Sequence, residues 1–200
     1  MAMQSDVWAI TPSTSATLLR AAAAVGLGGE TLTLLTNQVA ANGAGYKIRI
    51  TSSGDDSALT VTVVGNVVGD LTGKPTTEVL TGPNTTADTT NYYSSIISIT
   101  FSAATANNIS VGTTGSLALP RTRIKGLYYV AAANAGTVNV NSNSATGSLI
   151  LQVDTPAVTA GAFATSIYMP AEGIFTGRSS PNDFAVVTLT QVSKVTLICG

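Results

Sequence analysis

The sequence predicts an all-β protein, an antiparallel β-sandwich or barrel of the jelly-roll or immunoglobulin-like type. Three observations lead to this prediction. About a quarter of the 200 residues are Thr or Ser, and only 10% are charged. Several short stretches alternate apolar and polar residues with a period of two, the pattern of a half-buried strand. Clusters of Gly, Pro, Asn, Asp and Ser separate these stretches, as turns separate the strands of sandwiches and barrels.

The first 30 residues break the alternating pattern. They are rich in Ala, and a Ser or Thr at positions 13–15 would cap a short helix over residues 18–25. The glycines at 26, 28 and 29 would end that helix. The alternative is an extended arm outside the β-sheet. The sequence therefore predicts an N-terminal segment, residues 1–30, that is either a short helix or a non-β arm.

The same segment carries four large apolar residues with no obvious strand partner elsewhere in the chain. They are Trp8, Ile10, Leu18 and Leu19. Large apolar side chains without an internal partner are typical of contacts between subunits. We therefore predict that these four residues form a partner interface, with a helix packed on its own domain as the alternative.

From residue 31 onward, the alternating stretches predict strands at residues 47–50, 60–63, 97–101, 138–141 and 187–190. Turn clusters lie at 52–56, 82–84, 106–108, 134–136, 141–147 and 179–183. The apolar positions of the strands predict the core, which includes Ile48, Ile50, Val61, Val63, Ile97, Ile99, Phe101, Val138, Val140, Val187 and Leu189.

Pro120 is the best candidate for a boundary between two β halves, because proline interrupts a strand ladder. The prediction is a β domain at 31–119 and a second β half at 120–200, with one continuous sandwich as the alternative. The two halves are weakly similar, since Thr-Gly-Ser-Leu occurs at 114–117 and again at 146–149. Two hairpins of similar composition and an old duplication both explain this repeat.

The composition argues against an enzyme. The chain has no histidine and a single cysteine, Cys199. A Ser–His nucleophile and a Cys/His zinc site therefore have no residues to form them. Ten carboxylates remain, so a catalytic pair, or a hard cation at Asp55 and Asp56, stays open as an alternative to turn hydrogen bonding. We predict no catalytic, cofactor-binding or metal-binding residues and no cofactor.

Three cations occupy alternate positions, at Arg121, Arg123 and Lys125, and would share one face if this segment is a strand. Alternate residues of a strand share a face, so the three charges are expected on one side. A solvated strand face, a contact with an acidic patch on a neighbouring subunit, and a nucleic-acid contact all fit this spacing. We include the three residues in the candidate partner interface.

The charge balance favours a protein partner over a polyanion. A net charge of −1 gives no long-range attraction to nucleic acid or to anionic membranes. No apolar run approaches the length of about 20 residues that a membrane helix needs. Residues 1–17 hold Asp6 and no Lys or Arg, which is the wrong charge arrangement for a secretory signal. We expect synthesis in a cytoplasm, with no nucleic-acid or membrane partner.

Several short stretches are informative when taken together. They are 78–86 (EVLTGPNTT), 90–93 (TNYY), 95–100 (SIISIT), 110–113 (SVGT), 169–175 (MPAEGIF) and 195–200 (VTLICG). Over residues 58–113 and 165–200, the chain resembles small structural proteins found in the virions of tailed bacteriophages. The resemblance brings no catalytic residues with it.

This resemblance implies a capsid decoration (cement) protein or a head–tail component, made in the host cytoplasm and located in the virion. The expected function is to stabilise the capsid shell through contacts between subunits, as binding in many copies favours the assembled state. The expected partners are the major capsid protein or other virion proteins, together with further copies of this chain. The alternatives are a tail, collar or fibre component, and a carbohydrate-binding or adhesive β module.

Overall fold

The computed structural model describes residues 6–10, 15–40, 43–159, 163–170, 172–176 and 183–200, with the backbone alone for 6–10. Within these ranges the chain forms fourteen strands and no helix. The strands are β1 (Asp6–Ile10), β2 (Ser15–Ala23), β3 (Gly45–Asp55), β4 (Thr60–Val67), β5 (Thr76–Thr81), β6 (Asn84–Phe101), β7 (Ile109–Leu119), β8 (Arg123–Ala131), β9 (Gly136–Ser142), β10 (Leu149–Thr155), β11 (Ala164–Tyr168), β12 (Ile174–Phe175), β13 (Ala185–Thr190) and β14 (Val192–Cys199).

The all-β prediction is confirmed, because the strands pair antiparallel in sheets of the sandwich or barrel type. The chain divides into two compact units. Unit 1 comprises residues 1–13 and 115–200, and unit 2 comprises residues 14–114. Unit 2 is therefore inserted in sequence between the first strand of unit 1 and its remainder. Strand β7 begins in unit 2 and ends in unit 1.

Unit 2 is built on the strand order β7-β3-β6-β4-β5, with β2 also paired with β7. Its core is apolar and buried, and it contains Ile48, Ile50, Val61, Val63, Ile99 and Phe101, as the alternating pattern predicted. Residues from the connection between β2 and β3 complete this core, at Val25, Leu32 and Val39. This connection runs alongside β6, because the Leu32 amide donates to the Ile99 carbonyl and the Val39 amide donates to the Ser94 carbonyl.

The prediction that Ile97 lies in the core is wrong. Ile97 is 51% exposed, while its neighbour Ile96 is 1% exposed. The reason is a bulge in the β4–β6 pairing, where Val64 is opposite Ser98 and Gly65 is opposite Ile96. Ile97 is the extra residue of this bulge, which shifts the alternation by one position. A bulge depends on the partner strand, so the period-two pattern of β6 alone did not reveal it.

The prediction of a helix or a non-β arm is wrong for residues 15–23, which form β2. This strand pairs with β7, with Ser15 opposite Thr113 and Ala23 opposite Ile109. Its Arg20 side chain donates to the Ile109 carbonyl at 2.6 Å and to the Ala23 carbonyl at 3.0 Å. Pairing with a strand remote in sequence therefore outweighs the helix propensity of the Ala-rich stretch.

Unit 1 contains the strand order β1-β14-β8-β11, with β12 also paired with β8, and a second series β10-β9-β13 that continues to the end of β7. Both series contribute buried side chains. The buried side chains include Leu127, Tyr129, Val195 and Leu197 in the first series and Val138, Val140 and Val187 in the second. Leu189, which was predicted to be in the core, is only partly buried and lies next to the end of β13.

Candidate interaction surface

The sequence-predicted cations meet on the outward face of β8. Arg123 and Lys125 lie within the strand, and Arg121 comes two residues before it. Arg121 and Arg123 are exposed, and Lys125 is half-buried. Ile124 between the two strand cations is fully buried. The alternation that predicted a shared face for Arg123 and Lys125 is therefore realised in β8.

The outer edge of β8 is covered by one segment, residues 164–176. Strand β11 pairs first, with Tyr168 opposite Gly126, and the Met169 amide then donates to the Lys125 carbonyl. Strand β12 pairs next, with Phe175 opposite Arg123. Pro170 and residues 172–173 leave the ladder and form a turn beside the cations.

Gly173 allows this turn to approach β8 closely. Its φ is +68°, a left-handed conformation that favours glycine. A β-carbon at Gly173 would lie 2.9 Å from the Ile124 carbonyl oxygen and 3.4 Å from the Arg123 Cβ. The turn is closed by a hydrogen bond from the Gly173 amide to the Pro170 carbonyl, at 2.7 Å. Glycine is therefore required here for both its backbone conformation and the available space.

The turn and β12 position two guanidinium groups on one aromatic ring. The Arg121 Cζ lies 4.8 Å from the centre of the Phe175 ring, and the Arg123 Cζ lies 5.6 Å from it. Both distances fall within the range of a cation–π interaction. Arg123 is held further by a hydrogen bond from its Nη1 to the Glu172 carbonyl, at 3.0 Å. We call Arg121, Arg123, Lys125 and Phe175 the basic cluster.

An exposed tyrosine extends the cluster along the same face. Tyr168 is 78% exposed. A β-carbon at Gly126 would lie 3.7 Å from the Tyr168 Cδ1 and 3.4 Å from the Ile198 Cδ1. Lys125 is the extra residue of a bulge, because Ile198 is opposite Gly126 and Cys199 is opposite Ile124. Gly126 therefore follows Lys125 on the outward face, where the side chains of Tyr168 and Ile198 flank it. Sequence reasoning missed Tyr168 and Phe175, because only the pairing of β11 and β12 with β8 brings them to the cations.

The cations of the cluster form no ion pair with the carboxylates that the structure describes. The ion pair found in those residues joins Arg49 and Asp88 in unit 2, with 2.6 Å between Nη2 and Oδ2. The Glu172 residue beside the cluster contributes its backbone carbonyl to Arg123 and makes no ion pair within the described part of the chain. The three cations of the cluster therefore make no ion pair with an Asp or Glu side chain of the described residues.

The two leucines of the predicted interface differ in burial. Leu19 is fully buried in the core of unit 2, whereas Leu18 is 41% exposed. Leu35, which sequence reasoning missed, is 72% exposed, and its amide donates to the Leu19 carbonyl at 2.7 Å. The prediction that Leu19 faces a partner is therefore wrong. Leu18 remains available at the surface.

Trp8 and Ile10 lie in β1, which pairs with β14 over five residues. Trp8 is opposite Leu197 and Ile10 is opposite Val195. The expectation that this segment has no strand partner within the chain is therefore wrong for its backbone. The side chains of Trp8 and Ile10 lie outside the described residues, so their part in an interface stays a prediction.

The carboxylates in turns are engaged in local hydrogen bonding. Asp56 is buried and accepts hydrogen bonds from the Ser52 hydroxyl at 2.6 Å, the Asn107 amide group at 3.2 Å and the Ala106 amide at 3.1 Å. Asp55 accepts from the Ser57 amide at 2.9 Å, and hydrogen bonds from Ser57 lower the pKa of Asp55. These contacts explain both residues as turn stabilisers. Over the described ranges no group of three or more His, Cys, Asp or Glu residues is placed to hold a metal ion.

Glu78 has a comparable structural role between β5 and β6. Its carboxylate accepts hydrogen bonds from the amides of Thr90 and Asn91 and lies 3.3 Å from the Tyr93 hydroxyl. Burial, and then the negative charge of Glu78, raise the pKa of Tyr93 well above its ordinary value. The carboxylate therefore anchors the first half of β6 to the edge strand.

None of the described residues belongs to a helix long and apolar enough to cross a membrane. Comparisons of the chain with family models, with curated proteins and with solved structures gave no match.

Proposed function

We propose that the protein is a structural component of a tailed-bacteriophage virion that binds the outside of the capsid shell in many copies and stabilises it. The proposal is supported by the resemblance over residues 58–113 and 165–200. It agrees with an all-β fold whose turn carboxylates Asp55 and Asp56 are engaged in hydrogen bonds within the chain. The partners in this proposal are the major capsid protein and further copies of the chain.

The observation that carries the proposal is the outward face of β8. This face combines the exposed cations Arg121 and Arg123 with the half-buried Phe175 ring and the exposed Tyr168. Arg and Tyr are enriched among the residues that dominate the energy of protein–protein interfaces. A large exposed aromatic side chain beside cations that make no ion pair within the described residues favours a binding surface over a solvated strand face.

In this proposal, many copies of the protein bind to the capsid lattice, and each copy adds its binding free energy to the stability of the shell. Each bound copy contributes a contact that exists only when the shell is assembled, so the assembled state becomes more stable by mass action. A rigid β-fold suits this role because its interface residues are fixed by strand pairing before binding, which lowers the entropy cost of association. This mechanism involves no covalent chemistry.

The test is to locate the protein in virions from its own source and then to restore it to virions made without it. Immunogold labelling with an antibody against the chain is expected to decorate the head. Purified protein added to particles made without it is expected to bind to saturation and to raise the temperature at which the particles release their DNA. Label on the tail would replace this proposal with a tail, collar or fibre component. Absence of label from the virion would overturn it.

A further inference from the structure

We propose that the basic cluster binds an acidic segment of a partner protein, and that Arg121 forms the paired hydrogen bonds to its carboxylate. The inference rests on the proposed function in taking this face of β8 as the contact surface. It adds the chemistry of the partner and the residue that recognises it.

The two arginines of the cluster differ in how many of their hydrogen-bond donors are already used within the chain. The guanidinium of Arg123 rests near the Phe175 ring and donates to the Glu172 carbonyl, so it is held in position. The guanidinium of Arg121 lies closer to the ring, at 4.8 Å, and makes no hydrogen bond within the described residues. An arginine held against an aromatic ring keeps the N–H donors of its planar edge available. Arg121 is therefore the residue with donors to offer a ligand.

Carboxylates match this arrangement in geometry and in charge. A guanidinium binds a carboxylate through two parallel N–H···O hydrogen bonds, which are stronger than neutral hydrogen bonds. Arg123 and Lys125 supply further positive charge alongside, and no described carboxylate forms an ion pair with them. A carboxylate bound to Arg121 would therefore also be attracted by its neighbours.

An acidic protein segment fits this surface better than a nucleic acid does. Binding to DNA draws much of its affinity from the neutralisation of phosphates by Lys and Arg, whereas this cluster offers three cations on a chain with a net charge of −1. The neighbouring Tyr168, at 78% exposure, adds an aromatic side chain of the type found at the centre of protein interfaces. Few charges beside aromatic groups favour a protein partner.

The experiment uses the full chain and measures binding of a fluorescein-labelled hexaglutamate peptide by anisotropy, at about 50 mM salt to limit screening. Hexaglutamine is the uncharged comparison, and a labelled thymidine hexanucleotide tests for nucleic acid. Hexaglutamate is expected to bind, hexaglutamine is not, and the oligonucleotide is expected to bind less tightly than hexaglutamate. The proposal would be overturned if the parent chain does not bind hexaglutamate, or if it binds the oligonucleotide more tightly than hexaglutamate.

Arg121→Ala and Arg121→Lys identify the recognition residue. Arg121→Ala is expected to weaken hexaglutamate binding about fivefold to tenfold, since it removes a charge-assisted pair of hydrogen bonds. Arg121→Lys is expected to recover only part of this loss, because lysine cannot form the paired geometry. The matched control is Lys194→Ala, an exposed cation of unit 1 opposite Val130, seven residues along β8 from Arg123.

Lys194→Ala is expected to leave binding unchanged. A loss equal to that of Arg121→Ala would show attraction by overall charge alone and would overturn the assignment of Arg121. Arg121 is exposed and lies outside the strand, so its variants are expected to stay folded and to lose no more stability than the contact with Phe175 contributes. If the peptide binds but the antibody does not label virions, the proposed function is refuted and this inference stands. If the antibody labels virions but the peptide does not bind, this inference is refuted and the proposed function stands.

Discussion

The backbone of Ser15 in β2 lies directly against Gly112 in β7. A β-carbon at Gly112 would overlap the Ser15 carbonyl oxygen and would also lie 2.6 Å from the Ala16 carbonyl carbon. Both of these neighbours are backbone atoms, which cannot rotate away as the end of a side chain can. The absence of a side chain at Gly112 is therefore what lets β2 join β7 at this point.

Gly112→Ala is accordingly expected to destabilise unit 2. The new methyl group must displace β2 or distort β7, at a cost of about 1–3 kcal/mol. For a chain of this size each kcal/mol lowers the melting temperature by about 2–4 °C, which calorimetry resolves. The control is Gly26→Ala, whose β-carbon would meet only the Glu30 Oε2 at 3.9 Å. A Gly112→Ala variant as stable as this control would contradict the described contact between β2 and β7.

Leu19 and Leu18 are expected to differ sharply although they are adjacent. Leu19→Ala removes a fully buried side chain from the core of unit 2 and should cost about 2–5 kcal/mol in the free energy of unfolding. Leu18 is 41% exposed, so Leu18→Ala should change that free energy by about 0.5 kcal/mol or less. Urea unfolding of the two variants measures the difference. Equal and small effects would indicate that this segment is an arm and not part of the core.

Thr85 is predicted to be a strained position that can be improved. Its φ is +72°, a conformation that β-branched residues rarely adopt and that costs about 1–3 kcal/mol. Asparagine tolerates this region better, so Thr85→Asn should raise stability by up to about 1 kcal/mol. The exposed neighbour Thr86 is the control, because Thr86→Asn only lowers strand propensity and should be neutral or slightly destabilising. Thermal unfolding of both variants decides between a strained and a relaxed Thr85.

Tyr93 should make stability fall at high pH. Burial, and then Glu78, raise the pKa of Tyr93 in the folded protein, whereas an unfolded tyrosine titrates near about 10. The contribution of this group to stability is therefore complete below about pH 10 and is lost as the pH rises above it, because only the unfolded chain then releases the proton. Tyr93→Phe should reduce this loss.

The measurement is the urea midpoint of unfolding between pH 8 and pH 11.5, compared for the parent chain and the variant. Tyr93→Phe also removes the contact with Glu78, so a small loss of about 1 kcal/mol is expected at neutral pH. An identical fall in stability for the parent chain and Tyr93→Phe would show that Tyr93 does not carry it.

The sequence by itself determined the fold class and most of the core that it predicted. Alternation at Ile48 and Ile50, and at Val61 and Val63, placed these side chains in the interior, where the structure has them. This succeeded because the period of two belongs to the strand itself, whatever its partner is. The same rule put Arg123 and Lys125 on one face of β8.

Only the tertiary structure decided at which residues the local sequence pattern fails to predict strand pairing or burial. The bulge opposite Gly65 exchanges Ile96 for Ile97, and pairing with β7 turns an Ala-rich stretch into β2. Phe175 reaches Arg121 and Arg123 only because β12 returns to β8 from about 50 residues farther along the chain. Each of these outcomes is set by a partner remote in sequence, and its energy comes from hydrogen bonds and burial that exist only after the chain has folded. Local periodicity carries no information about such partners.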